Sequence, residues 1–271
     1  LSLAQRVSAL HSDAKILTLD IETQRGIWES FGADVKWLPA ARCIKPPRIL
    51  CFAAKWFGED KVVFKASWLD DDADSYKKML QSLWQLMNDA HILVTYNGDR
   101  FDLGWIEHEC GVLGLGRPAP SKSVDLYKVT RKFGKGAAYK SLDWSARQWL
   151  GDKKVAHQGS DLWFQIRYGT AAERRESQRK MKEYNCHDVV LTERLLVAYL
   201  PWTPINVAIH RKHADDDELL VCIACGKEGL LKPAGLYFTG TFGYNQYRCD
   251  GCGSYCRGKR AKSGTELRAV R

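Results

Sequence analysis

The alternation of apolar and polar positions is sharpest at Ile16-Leu17-Thr18-Leu19-Asp20-Ile21-Glu22-Thr23, which predicts a buried strand. Side chains two apart on a strand share a face, so Asp20 and Glu22 point the same way. From Thr23 to Pro47 no period holds, although Trp28, Phe31 and Trp37 stand there among basic and small residues; a loop this long is usually functional or mobile. Ile49–Phe57 and Lys61–Ala66 read as a hairpin turning at Gly58-Glu59-Asp60. Asp74–Asn88 carries Tyr76, Met79, Leu80, Leu83, Leu86 and Met87 at helical spacing. A fourth strand, His91–Tyr96, breaks at Asn97-Gly98, and a helix from about Asp102 reaches Cys110. Ser141 is placed to cap a helix ending at Leu150-Gly151, and Gly151–Thr170 is irregular. Ala171–Leu200 contains neither Gly nor Pro and predicts one long helix or two in series, with Tyr184 and Asp188 on one face. Leu3–Leu10 is expected to form a short helix.

Past Pro201 and Pro204 the composition changes. Asp215-Asp216-Asp217-Glu218 predicts a solvated linker, giving a first domain over 1–205, a linker over 206–218 and a second module from 219 to 256. Residues 257–271, with six Lys and Arg against one Glu, are expected to be a disordered basic tail. The 271 residues suffice for one domain of about 200 residues and an appendage.

The net charge of +9 points to an anionic partner, and ten Trp with eleven Tyr offer flat surfaces for bases. No apolar run approaches the roughly 18–20 residues of a spanning helix, and Leu1–Arg6 lacks the form of a signal peptide. A cytoplasmic protein with no membrane partner is therefore expected. Of nine cysteines, five fall between 222 and 256, which in a reducing compartment indicates metal before disulfides.

Two like charges buried side by side are costly unless a cation neutralises them, and a divalent metal is the simplest candidate. Asp20, Glu22, Asp102 and Asp188 supply four carboxylates, with Tyr184 one turn before the last. Between Asp125 and Lys140, Tyr127, Phe133 and Tyr139 interleave with Lys128, Arg131, Lys132, Lys135 and Lys140 around Gly134 and Gly136. Such a stretch can follow a phosphodiester backbone, or can be only a solvated loop. Cys222-x-x-Cys225-Gly226 and Cys249-x-x-Cys252-Gly253, 23 residues apart, have the spacing of a structural zinc site in which each glycine permits a tight turn. Cys256 is a spare thiol.

Asp-Ile-Glu-Thr, Tyr96-Asn97-Gly98 through Phe101-Asp102, and Tyr184 through Asp188, in that order, resemble the DEDD superfamily of 3'-5' exonucleases in its tyrosine subgroup. The resemblance covers about residues 14–200 and is nearest to the proofreading domains of family B DNA polymerases; Ser141-Leu142-Asp143 before Trp149-Leu150-Gly151 adds to it. With no polymerase domain following and a cysteine module in its place, the chain is similar to stand-alone exonucleases of bacteriophages that serve replication and repair. The histidine subgroup would place His where Glu183 stands, and His187 faces elsewhere on the helix.

The resemblance implies an α/β fold, a ribonuclease-H-like mixed sheet of five strands flanked by helices, plus a small C-terminal zinc ribbon of two β-hairpins. It implies hydrolysis of single-stranded DNA from the 3' end by two Mg²⁺ or Mn²⁺ ions, since hard oxygen ligands select these. Asp20 would bridge the ions, with Glu22, Asp102 and Asp188 completing the shells, and Tyr184 would orient the water. Asn97 would contact the terminal nucleotide or brace Asp102, and Phe101 would lie in the core sooner than act as a base-stacking wedge. A ribonuclease D-like exoribonuclease uses the same residues, and a catalytically idle binding protein could keep the fold. One Zn²⁺ on Cys222, Cys225, Cys249 and Cys252 would hold the ribbon, whose partner is nucleic acid or a replication or repair protein.

Overall fold

The structure, a computed structural model, describes residues 14–32, 35–155, 159–207, 220–239 and 242–261. The predicted helix at 3–10, most of the linker and all but the first residues of the basic tail lie outside them. The chain forms two compact units, one over Lys15–Glu193 and the other including the chain from Arg194 onward.

The larger unit is built on a five-stranded sheet in the order β5-β4-β1-β6-β7. The strands are β1 (Ile16–Gln24), β4 (Arg48–Trp56), β5 (Val62–Ala66), β6 (Ile92–Thr95) and β7 (Lys122–Asp125); β2 (Ile27–Trp28) and β3 (Cys43–Lys45) form a separate short hairpin. β1 runs antiparallel to β4, with Asp20 opposite Ala53, and parallel to β6, so the sheet is mixed. The helices are α1 (Ala73–Asp89), α2 (Asp102–Val112), α3 (Leu126–Phe133), α4 (Leu142–Leu150), α5 (Ser160–Tyr168) and α6 (Ala171–Tyr199).

The two faces of β1 have different fates because the side chains alternate. Leu17, Leu19 and Ile21 bury against Met79, Leu80 and Leu83 of α1 and Ile106 of α2. On the other side Leu162 and Ile166 of α5 and Met181 and Tyr184 of α6 pack with Leu50 and Cys51 of β4. α5 is pinned to the end of β1 by Trp163 Nε1, which donates to the Thr23 carbonyl at 3.0 Å. α6 is tied to β4 by the buried Lys55–Glu193 ion pair at 2.6 Å.

Capping agrees with the expected boundaries. Ser141 accepts from the Trp144 amide at the start of α4, and Gly151 ends it in the left-handed region at φ 64°. Three elements depart from expectation. The run 125–140 is not one flexible loop, because Asp125 ends β7 and caps α3. The stretch 151–170 contains α5, whose Leu162 and Ile166 are buried one turn apart. Phe101, expected in the core, is 39% exposed and leans on Trp105.

In the smaller unit β8 (Leu231–Phe238), β9 (Gly243–Cys249) and β10 (Tyr255–Arg260) form an antiparallel sheet in the order β10-β9-β8, so residues 257–260, expected to open the disordered tail, are instead paired with β9. The expected second hairpin is reduced to a single bridge, Val221 with Glu228, beside the first cysteine pair.

Candidate active site and cysteine cluster

Asp20 and Glu22 project from the face of β1 opposite Leu19 and Ile21, toward α6, where both are half-buried. Asp102, the first residue of α2, is buried, and its Oδ1 accepts from the Ile21 amide at 2.9 Å, which locks the helix start to β1 between the two acids. The chain reaches that position through a tight turn. Asn97 takes φ 69°, and a Cβ on Gly98 would fall 2.4 Å from the Thr95 side chain, so only glycine fits. α6 brings the rest: its buried stripe, Ser177, Met181, Tyr184, Asn185, Asp188 and Thr192, is largely polar where a core helix would be apolar.

The result is a concentration of negative charge out of water. Burial, then Asp102, Glu22 and Asp188, push Asp20 well above the ordinary carboxylate range. Burial and Asp188 bring Glu22 up to about 8. Asp102 is raised to about 6, chiefly by burial, despite the amide hydrogen bond that favours its charged form. Asp188 is also raised by burial, and its buried Oδ1 has no hydrogen-bond partner among the described residues.

Among the described residues Lys154 is the cation in this cluster, and it carries no signal in the sequence because it stands in an irregular stretch. Its Nζ lies 2.5 Å from Asp188 Oδ2 and 2.6 Å from Tyr184 Oη, with the ammonium 4.6 Å from the tyrosine ring centre. The Tyr184 hydroxyl also bonds the Asp188 carboxylate. Burial and Asp188 raise the Tyr184 pKa, so the phenol keeps its proton at neutral pH. His187 Nε2 lies 2.9 Å from the Lys153 carbonyl and so holds the strap that carries Lys154. Glu183, at the position diagnostic of the histidine subgroup, pairs with Arg179 on the exposed side of α6.

Two further residues belong to the site. Asn185 is fully buried, and its Nδ2 donates to Asp20 Oδ2 at 2.7 Å and to the Asp20 carbonyl at 3.3 Å. Its position three residues before Asp188, on the same helix, was the available signal. Asp125 accepts from the Asn97 and Tyr127 amides at 2.8 and 2.9 Å, has a buried Oδ2 with no partner among the described residues, and acts electrostatically on Asp102.

The residues selected for substrate contact are less closely gathered. Asn97 is joined to Asp125 through its backbone, while Asp102 is braced by the Ile21 amide. Tyr127 meets Tyr96 edge-on, and Lys128 pairs with Asp99 at 2.6 Å. Arg131 lies 6.0 Å from the Tyr127 ring centre, and Lys132 is exposed on the same short helix. Lys140 Nζ reaches the Ala137 carbonyl, and the Lys140 carbonyl accepts from the Tyr96 hydroxyl at 2.6 Å.

In the smaller unit the four predicted thiols converge. Cys222 and Cys252 sulfurs are 3.7 Å apart, Cys225 and Cys249 sulfurs 3.8 Å, and all four lie within 4.8 Å of one another. A tetrahedron with Zn–S bonds of about 2.3 Å has edges of about 3.8 Å, so the shell is the size of a zinc site. Gly226 and Gly253 turn at φ 73° and 79°, and their amides donate back to the Cys222 and Cys249 carbonyls at 2.8 Å each. Cys256 is buried beside Cys222. Among the described residues no three carboxylates gather their oxygens so tightly. The oxygen donor set, the unpartnered Asp188 Oδ1 and the raised carboxylates nevertheless fit hard divalent cations, which supply the charge the cluster lacks.

A model of the RNase H superfamily matches residues 45–200, more than half of the chain, and the chain belongs to that superfamily. Among solved structures it is similar to the family B DNA polymerase of the hyperthermophilic archaeon Pyrobaculum calidifontis, at 17% identity and a TM-score of 0.48, over 83% of this chain. That match spans 33% of the polymerase chain. A comparison with curated proteins finds no match. No described helix is long and apolar enough to cross a membrane.

Proposed function

We propose that this chain is a metal-dependent 3'-5' exonuclease that removes 5'-mononucleotides from single-stranded DNA in the cytoplasm. The observation that carries the reading is the convergence of Asp20, Glu22, Asp102 and Asp188, from three separate elements, into one group whose charges raise one another's pKa values. A binding protein with no hydrolytic role gains nothing from holding these charges together out of water.

Asp20, Glu22, Asp102 and Asp188 would hold two Mg²⁺ or Mn²⁺ ions. When bound, these ions supply an acidified water and relief of charge on the attacking and leaving oxygens. Lys154 donates to Tyr184 Oη and the phenol proton, kept in place by its raised pKa, goes to the Asp188 carboxylate, so the tyrosine would orient the water by accepting from it through its remaining lone pair. Asn185 fixes the Asp20 carboxylate in one rotamer. Asn97, Tyr127, Lys128, Arg131, Lys132 and Lys140 would contact the strand, Lys128 after release from Asp99. The nuclease domain would extend to about residue 205, with the zinc ribbon running from 219 to the end of β10 at Arg260.

The test is digestion of matched DNA and RNA oligonucleotides, labelled at the 5' end, with and without Mg²⁺. A descending ladder on DNA that needs Mg²⁺ is expected. Degradation of RNA alone would identify an exoribonuclease, and binding without cleavage of either would identify an idle accessory protein. Immediate release of a labelled mononucleotide would reverse the polarity.

A further inference from the structure

The β8-β9-β10 sheet has two unlike faces, and its pairing register says which residue lies on each. Cys256 pairs with Tyr247, and Leu231 with Cys249, so those residues share the face that holds the cysteine cluster. The alternate positions form the other face: Lys232 pairs with Arg248, Arg248 with Tyr255, and Tyr237 with Tyr244, while Arg257 stacks on Tyr244 with its guanidinium 4.4 Å from the ring centre. Lys232, Arg248, Tyr255 and Arg257 are exposed, Tyr255 at 57%. The three strands contain five Lys and Arg and no Asp or Glu, so no acid within the sheet neutralises this face. A second guanidinium, Arg260, sits 3.6 Å from the Phe242 ring centre at the end of the sheet.

We propose that this face is a single-stranded nucleic-acid platform, with Lys232, Arg248 and Arg257 on phosphates and Tyr237, Tyr244 and Tyr255 against bases. Charge complementarity selects a polyanion. The interleaved rings select one with exposed bases, because a duplex offers phosphates but hides its base faces. Cross-strand neighbours on one face stand about 5 Å apart, so cations and rings alternate on a scale that one strand of phosphates and bases can meet together. Pre-stacking of Arg257 on Tyr244 lowers the ordering cost of presenting both. The choice of nucleic acid as ligand rests on the nuclease reading of the larger unit.

The experiment is fluorescence anisotropy of a fluorescein-labelled oligothymidylate titrated with the full chain carrying Asp20→Ala, over a range of salt, so that binding is read without hydrolysis. Adding Arg248→Ala with Arg257→Ala should weaken binding about ten-fold and make the log–log salt dependence shallower by about 1.4, the share of two phosphate contacts. Zinc content, unchanged at one per chain, shows that the module is folded. Should the double variant lose zinc, Lys232→Glu, which alters one exposed side chain, is expected to weaken binding in the same direction. Lys77→Ala with Lys78→Ala on α1 removes the same charge elsewhere and should leave the salt slope unchanged.

Binding by zinc-loaded Arg248→Ala/Arg257→Ala equal to that of the Asp20→Ala parent would overturn the proposal, as would equal weakening by the α1 control. The first result is also the one expected of a protein-docking face. Lost binding in a protein whose wild type hydrolyses nothing would leave the platform standing and remove the nuclease reading.

Discussion

At the scale of single residues, the site resolves a conflict between burial and charge, and Tyr184 and Glu22 make that testable. Tyr184→Phe keeps the ring that packs with Leu162 and Met181 and removes only the oxygen bonded by Lys154. Fold and metal affinity should persist, while single-turnover hydrolysis slows roughly ten-fold to a hundred-fold, the cost of about 1–3 kcal/mol for one preorganised hydrogen bond. An unchanged rate would remove the tyrosine from the mechanism. Glu22 shows the sign of the pH dependence that the raised carboxylates share. Its pKa is raised from 4.5 to about 8 in the folded protein, so the native state binds the proton more tightly than the unfolded chain across that interval. The metal-free protein should therefore lose stability as pH rises through it, and Mg²⁺ or Mn²⁺ should flatten the slope by binding the ionised form. Thermal melts across this range, with and without metal, read both effects; stability rising with pH without metal would show that the carboxylates are already neutralised.

Among elements, the legibility of the sequence followed the range of the interactions involved. β1, α1, α2, α4 and α6 were visible because their apolar periods and caps are local, and the Asp20–Glu22 pair was visible as a breach of such a period. Lys154 was not, since nothing near it in sequence announces that His187 and the Asp143 carboxylate, which accepts from the Lys154 amide at 3.0 Å, hold its strap against α6. α5 and α3 were missed because each is about two turns long, too short for a 3.6-residue period to stand out. The Lys55–Glu193 pair shows the same dependence on distant partners, joining β4 to α6 where both side chains are 10% exposed. Lys55→Met should destabilise the larger unit by about 3 kcal/mol near neutral pH, because it leaves the Glu193 charge buried alone. Burial already raises the Glu193 pKa, so the deficit should shrink in acid as the carboxyl takes up a proton. Urea midpoints at neutral and acidic pH measure this, and an equal deficit at both would mean that the lost lysine acts through packing alone.

For the whole molecule, the chain joins an RNase H superfamily unit, whose carboxylate cluster suits hard divalent cations, to a module whose four-sulfur shell suits zinc. The two metal classes should be separable. Cys225→Ser is expected to abolish the single tightly held zinc and unfold the module, since thiolate coordination and folding are coupled there, while the Lys15–Glu193 unit keeps its cooperative transition. Elemental analysis with calorimetry checks both, and a module that stays folded without zinc would contradict the assignment. The central claim, that the four carboxylates form a metal-dependent hydrolytic centre, is tested most directly by a time course of 5'-labelled single-stranded DNA with Mg²⁺, wild type beside Asp20→Ala. The account predicts a descending ladder from the wild type and intact substrate with the variant. Digestion by folded Asp20→Ala at near the wild-type rate would contradict it.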